Sequence, residues 1–223
     1  FEEDTRFQKM LDVDAALALA RAQVGDIPVD AAQDIERHAS TKFVPIERIH
    51  EIEKVVDHET MALVEALAEV SGKGGSYVHL GATSADILDT ALALQMKEGL
   101  AIIGAKLDAL EQVILDLTRK YREVLIIGRT HGQHALPITL GFKFAIWLRE
   151  NARHIERLNQ CKKRVLVGKM SGAVGTQAGL GPHATEIQEL AMKKLSLEAA
   201  DISNQIIQRD VHAEFVLLMS MIA

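Results

Sequence analysis

The stretch Leu100-Ala101-Ile102-Ile103-Gly104-Ala105-Lys106-Leu107-Asp108-Ala109-Leu110-Glu111-Gln112-Val113-Ile114-Leu115-Asp116-Leu117-Thr118-Arg119-Lys120-Tyr121 decides the fold. Within it, Leu100, Ile103, Leu107, Leu110, Ile114, Leu117 and Tyr121 recur at alternating spacings of three and four, a heptad seam. Extended back to Ser84 or Ala85 and on to Arg122, this predicts a helix about 55–60 Å long. Such a helix is longer than a small globule is wide, so it must lie beside others in an elongated bundle.

Outward from the seam the chain reads as helix nearly everywhere. Ala, Leu, Glu, Lys and Gln dominate, with only 4 prolines among 223 residues and aromatics at 4%. Upstream, helices are expected over Phe7–Gln23, about Asp30–Ser40, and from Pro45 through His58 to about Val70. Gly25-Asp26-Ile27-Pro28 stops the first, and Ser71-Gly72-Lys73-Gly74-Gly75-Ser76 forms a flexible break. Downstream, Gly128 to Pro137 reads as a loop, Thr139–Val167 as a long helix and Gly168–Gly181 as a glycine-rich loop. His183–Leu195 is a short helix, and a last helix runs from near Asp201 to the end. The expected organisation is all-α: a smaller N-terminal helical domain over residues 1–82 and a long-helix bundle domain over 83–223.

Composition excludes several classes. Hydrophobic residues at 48% and charged residues at 25% are globular values. A net charge of -6 gives no positive field for nucleic acid or an anionic membrane. No apolar run is long enough to span a bilayer. The single cysteine, Cys161, forbids an internal disulfide and points to a cytoplasmic setting. The chain starts at Phe1 without Met, and it stops inside the apolar pattern Met219-Ser220-Met221-Ile222-Ala223 without a helix stop. The expectation is a piece of a longer protein.

Three segments carry polar groups that a scaffold does not need. In His79-Leu80-Gly81-Ala82-Thr83-Ser84-Ala85-Asp86, Thr83 or Ser84 caps the long helix and Asp86 sits in its first turn. The same free N–H groups and positive dipole end would hold a carboxylate or phosphate. In Gly128-Arg129-Thr130-His131-Gly132-Gln133-His134, two histidines suited to proton transfer crowd one connector. His131 and His134 lack a third nearby ligand, so no metal is expected. On the last helix, Gln205, Arg209 and His212 fall at i, i+4 and i+7 on one stripe, either a solvated face or a ligand face. His58, between Asp57 and Glu59, reads on its own as an ordinary surface or half-buried histidine on the third helix. Gly168-Lys169-Met170-Ser171-Gly172 lacks the phosphate-loop order and its strand–helix setting.

Taken in order, residues 79–90, 128–139, 168–176 and 205–210 resemble four segments of the adenylosuccinate lyases, within the fumarase/aspartase superfamily. The resemblance spans nearly the whole chain. It implies a helical bundle subunit in a homotetramer whose active sites are shared between subunits, needing no cofactor. It implies β-elimination of fumarate from adenylosuccinate, giving AMP, and from the succinylated carboxamide intermediate of purine synthesis. By the same resemblance His131 is the catalytic acid and Thr83 and Ser84 bind carboxylate. His58 lies near the substrate phosphate and leaving group, flanked by Asp57 and Glu59. His79, Thr130, Gln205 and Arg209 complete the substrate contacts.

Two departures stand out. Asp57-His58-Glu59 replaces the family's Arg-His-Asp, removing a positive charge near the phosphate. The Ser-Ser-x-Met-Pro-x-Lys block that carries the family's serine base is absent from these residues. Argininosuccinate lyases would show Gly-Arg-Ser-Arg-Asn-Asp where Gly81–Asp86 stands, and carboxymuconate cycloisomerases usually lack the Thr-His-Gly-Gln-His form. A non-catalytic assembly domain would explain the heptad, but not Arg129, Thr130, His131, Gln133 and His134 in one connector.

Overall fold

A computed structural model describes residues 1–223. The elements in order are α1 (Glu3–Gln23), α2 (Val29–His38), α3 (Ile46–Val56), α4 (Glu59–Val70), a 3-10 turn (Gly72–Tyr77) and α5 (Ser84–Lys120). There follow β1 (Leu125–Thr130), β2 (Gln133–Thr139), α6 (Leu140–Val165), β3 (Val167–Gly168), a 3-10 turn (Ala178–Leu180), α7 (Ala184–Leu195), β4 (Glu198–Ala199) and α8 (Asp210–Ile222). The fold is all-α in class, as expected, with four short strands added. No helix is long and apolar enough to cross a membrane. Two compact units form: Phe1–Lys97 with Val165–His212, and Glu98–Arg164 with Ala213–Ala223.

In the first unit α1 is the central helix. Its middle, Val13 to Ala18, is buried on every side, which an amphipathic surface helix would not be. It packs on α2, α4 and α7, with Phe7, Met10, Leu11, Leu17, Ile35, Leu63 and Leu67 in the core. It ends in a Schellman turn: Gly25, at φ 84°, donates to Ala22 and Asp26 donates to Arg21. The flexible break expected over Ser71–Ser76 is instead largely a 3-10 turn, Gly72–Tyr77. Gly74 and Gly75 let this turn lie against α2 and α4, since a Cβ at either would stand 2.5 Å from the Ala31 or Ala68 carbonyl oxygen. β3 and β4 form a two-residue parallel pair.

The single helix expected from Pro45 to Val70 is two. Asp57 takes a left-handed φ of 52° and closes α3, and the His58 side chain caps α4. A left-handed aspartate is a tolerated helix terminator that leaves no Gly or Pro signal.

In the second unit α5 and α6 run antiparallel, joined by the β1–β2 hairpin. Gly141 makes the close approach: a Cβ there would lie 2.6 Å from both Thr118 O and Arg122 Cα. Further along, Asn151 donates to the Leu107 carbonyl at 3.0 Å, and Gly104 faces Leu158. The heptad seam divides accordingly. Leu100, Leu107 and Ile114 are buried, Ile103, Leu117 and Tyr121 are half-buried, and Leu110 is exposed. Ile102, Val113, Ile146, Leu217 and Met221 also face outward.

Candidate active site

At the start of α5, Thr83 occupies the cap position. The Asp86 carboxylate reaches back to accept the Thr83 N–H at 3.0 Å, one half of a capping box. Asp86 is fully buried and does more than cap. Its Oδ1 accepts from Lys169 Nζ at 2.5 Å and from Ser171 N–H at 2.9 Å, and its Oδ2 from Gly172 N–H at 3.0 Å. Lys169 is also fully buried. One turn on, the Thr90 hydroxyl exchanges hydrogen bonds with the Lys169 backbone, at 3.0 and 3.1 Å. Gly168 is required there, because a Cβ would meet the Met192 sulfur at 2.4 Å. The glycine-rich segment is thus bolted to the first two turns of α5.

The electrostatic consequence matters for binding. A lone carboxylate at a helix N-terminus would repel an anionic ligand. Lys169 offsets the Asp86 charge from inside, so the α5 N-terminus keeps its attraction for anions.

His58 stands beside this terminus. Its Nδ1 accepts the Met61 N–H at 3.2 Å, which leaves the neutral ring's proton on Nε2, 3.4 Å from Ser84 Oγ. Asp57 and His58 are exposed. Glu59 is engaged by a two-pronged pair from Arg6, at 2.5 and 2.6 Å, which holds its carboxyl below the usual range against partial burial.

His79 lies four residues before Thr83 with a left-handed φ of 59°, and its Nδ1 meets the buried Asp14 carboxylate at 3.1 Å. Gly81 follows at φ 76°, with Gly179 O only 2.3 Å from where a Cβ would be.

Gln205 and Arg209 do not share a helix with His212, contrary to expectation, because α8 begins only at Asp210. Side chains claim the backbone of residues 203–207 first: Asp89 accepts the Ile207 N–H at 2.8 Å, and Asn204 Oδ1 accepts the Ile206 N–H at 3.1 Å. Gln205 is exposed. Arg209 Nη1 donates to Asp89 at 2.8 Å and approaches His212 Nδ1 at 3.4 Å. These groups, with Arg6 and Gln95, wall a cavity of about 410 Å³. Burial and the Arg209 charge push the His212 ring below its ordinary value.

Thr130 and His131 belong to the second unit. The segment expected to be a loop is a hairpin in which Thr130 pairs with Gln133 and Arg129 with His134. His131 at φ 52° and Gly132 at φ 72° form its two-residue tip, the left-handed pair that a type I′ turn requires. A bulge at Gly128 breaks the register. Residues 129–137 are exposed.

Three non-glycine residues with left-handed φ, Asp57, His79 and His131, are among the predicted site residues. Local strain of this kind gathers at functional positions. Sequence reasoning missed Lys169, Asp89 and Asp14. The available signal was Asp86, Asp89 and Thr90 at i, i+3 and i+4, three polar groups on one buried face of α5.

The profile of the Lyase family matches residues 1–223. A protein from Pyrococcus abyssi named adenylosuccinate lyase is 54% identical over 223 residues, all of this chain and 50% of its own length. Among solved structures, a fumarate lyase from Mesorhizobium sp. BNC1 superimposes with a TM-score of 0.92 at 37% identity, over 99% of this chain and 52% of that one. A 3-carboxy-cis,cis-muconate lactonizing enzyme from Pseudomonas putida gives 0.93 at 34%, over 100% and 51%. The chain spans about half the length of the curated relatives it matches.

Proposed function

The chain belongs to the Lyase family, and from that premise we propose that the complete protein cleaves adenylosuccinate by β-elimination, releasing fumarate and AMP. It performs the same cleavage on the succinylated carboxamide intermediate of purine synthesis. The observation that carries this reading is the start of α5, where Ser84 Oγ meets His58 Nε2 beside a helix terminus relieved of net charge.

Elimination needs a base at the carbon beside a carboxylate, an acid for the departing nitrogen, and donors for the charge that builds on the carboxylate. Thr83, Ser84 and the free N–H groups of α5 supply the donors. His58 binds near the leaving group, with Asp57 and Glu59 beside it. His131 is the acid, with Thr130 next to it. Gln205 and Arg209 hold the substrate. The base lies on a segment outside these residues. The working protein is a cytoplasmic homotetramer with sites shared between subunits, which accounts for the exposed hairpin and the outward apolar residues of α5, α6 and α8.

The test is to incubate the complete protein with adenylosuccinate and follow absorbance, with fumarate and AMP identified by chromatography. Light scattering should give a tetramer. Turnover of a carboxymuconate with none of adenylosuccinate would move the protein to the cycloisomerase branch, which the TM-score of 0.93 keeps as the second reading.

A further inference from the structure

We propose that Asp14 is a positioning residue that fixes the His79 ring with Nε2 outward, as a hydrogen-bond donor to an anionic group of the substrate. The inference rests on the functional reading above for the substrate's identity, but its geometry does not. Asp14 sits in the buried middle of α1 with a side-chain exposure of 0%, and His79 keeps 12%. A carboxylate so buried is costly unless a cation or several donors meet it. Here Oδ1 meets His79 Nδ1 at 3.1 Å, while Oδ2 has no partner at all. The only cation offered to Asp14 is therefore the imidazolium of His79.

Two further features fix the ring. The backbone at His79 is held at a left-handed φ of 59°, and Gly81 is wedged against the Gly179 carbonyl. With Nδ1 committed to Asp14, Nε2 is the ring atom left to meet a ligand, and it makes no hydrogen bond within the chain. The charged groups that act on the ring are Asp14 on α1 and Asp86 on α5. Burial pushes the ring down, and the hydrogen bond to Asp14 with both carboxylate charges more than reverses it, so the displacement is upward. The ring thus keeps its second N–H at a pH where a free histidine has begun to lose it.

Asp14→Asn in the complete protein tests this, with histidine Cε1 labelled by carbon-13 and the His79 signal identified by its loss in His79→Gln. The expected result is a His79 titration moved to lower pH, and a KM raised about tenfold near neutral pH with a smaller change in kcat. In the His79→Gln background, Asp14→Asn should add nothing to KM. An unmoved titration overturns the dyad. A moved titration with an unchanged KM overturns its role toward substrate. If Asp14→Asn does not fold, His79→Gln alone decides: KM must rise and lose its pH dependence, and a pH-dependent KM retained there overturns the proposal. Should the wild type turn over no adenylosuccinate, fumarate binding by calorimetry replaces KM. The dyad then stands or falls on whether Asp14→Asn weakens that binding, while the functional reading has failed separately.

Discussion

The first turn of α5 and the tip of the β1–β2 hairpin both carry predicted site residues beside left-handed backbone, yet they are held in opposite ways. Around α5, Asp86 and Lys169 are fully buried, Thr90 grips the Lys169 backbone, and Gly81 and Gly168 admit neighbours that no side chain would allow. Around His131 nothing in the chain touches the ring by a hydrogen bond, a Cβ at Gly132 would meet nothing within 4 Å, and Leu125 and Leu136 are each 75% exposed. The chain packs the start of α5, where we propose the substrate carboxylate is held, by its own contacts. It leaves the hairpin that carries the proposed acid exposed, and a two-stranded hairpin needs further contacts to be independently stable.

The sharpest way to break this contrast is to make each end fail differently. In the complete protein, His131→Gln keeps a donor amide but delivers no proton, and kcat should fall by about 10²–10⁴-fold. The melting temperature should hardly move, because the residue is exposed and unpartnered. His134→Gln should cost much less. Wild-type kcat in His131→Gln with loss in His134→Gln would shift the acid three residues along the chain. Residues 1–223 alone should show no appreciable turnover, because the proposed reading places the base on a segment outside them.

At the other end, Lys169→Met leaves Asp86 buried without its cation. Breaking a buried pair from one side costs about 3–5 kcal/mol. Denaturant unfolding should show a loss of that size, and a loss below 1 kcal/mol would mean water reaches Asp86 and the bolt is not there.

The glycines refine the comparison. Gly81→Ala and Gly132→Ala impose the same left-handed strain, about 1–2 kcal/mol. Only Gly81 adds a collision, with Gly179 O at 2.3 Å, for about 1–3 kcal/mol more. Thermal unfolding should rank Gly81→Ala clearly below Gly132→Ala. Equal melting temperatures would show that the hairpin tip is as tightly enclosed as the α5 end.

How much of this was legible in the sequence follows from where the signals live. The long helix was readable because Leu100 to Tyr121 repeats over three heptads, and its start because Thr83, Ser84 and Asp86 are capping residues. The hairpin was not, since His131-Gly132 is a type I′ turn with histidine where Asn or Asp usually marks one. The break at Asp57 lacked Gly and Pro. The helix expected from near Asp201 rested on the stripe Gln205, Arg209 and His212, and long-range claims by Asp89 overrode its first part, up to Arg209. Lys169 was invisible for the same reason: a buried lysine inside a glycine-rich segment has no periodicity, and its partner lies 83 residues away. Local signals reported elements, while the geometry of the site came from contacts between distant segments.

The smallest expected effect separates a surface pair from the buried one. Arg6 and Glu59 pair through Nη1 and Nη2 of the guanidinium, but their side chains remain 32% and 31% exposed. Solvent screening limits such a pair to about 0.2–1 kcal/mol. The hydrogen bond from Arg6 is the main cause that holds Glu59 below 4.5, with partial burial opposing it. A carboxyl whose folded value lies below its unfolded value contributes stability above the unfolded value, and that contribution is lost as pH falls through the folded one. Urea unfolding of the wild type and Glu59→Gln should therefore differ by under about 1 kcal/mol at pH 7, with the difference shrinking once pH drops below about 4.5. At 1 M salt the Debye length falls to about 3 Å and the difference should shrink at pH 7 too, while the Lys169→Met deficit stays. A Glu59→Gln difference unchanged by both acid and salt would place this pair with Asp86 and Lys169, inside the locked end of the molecule.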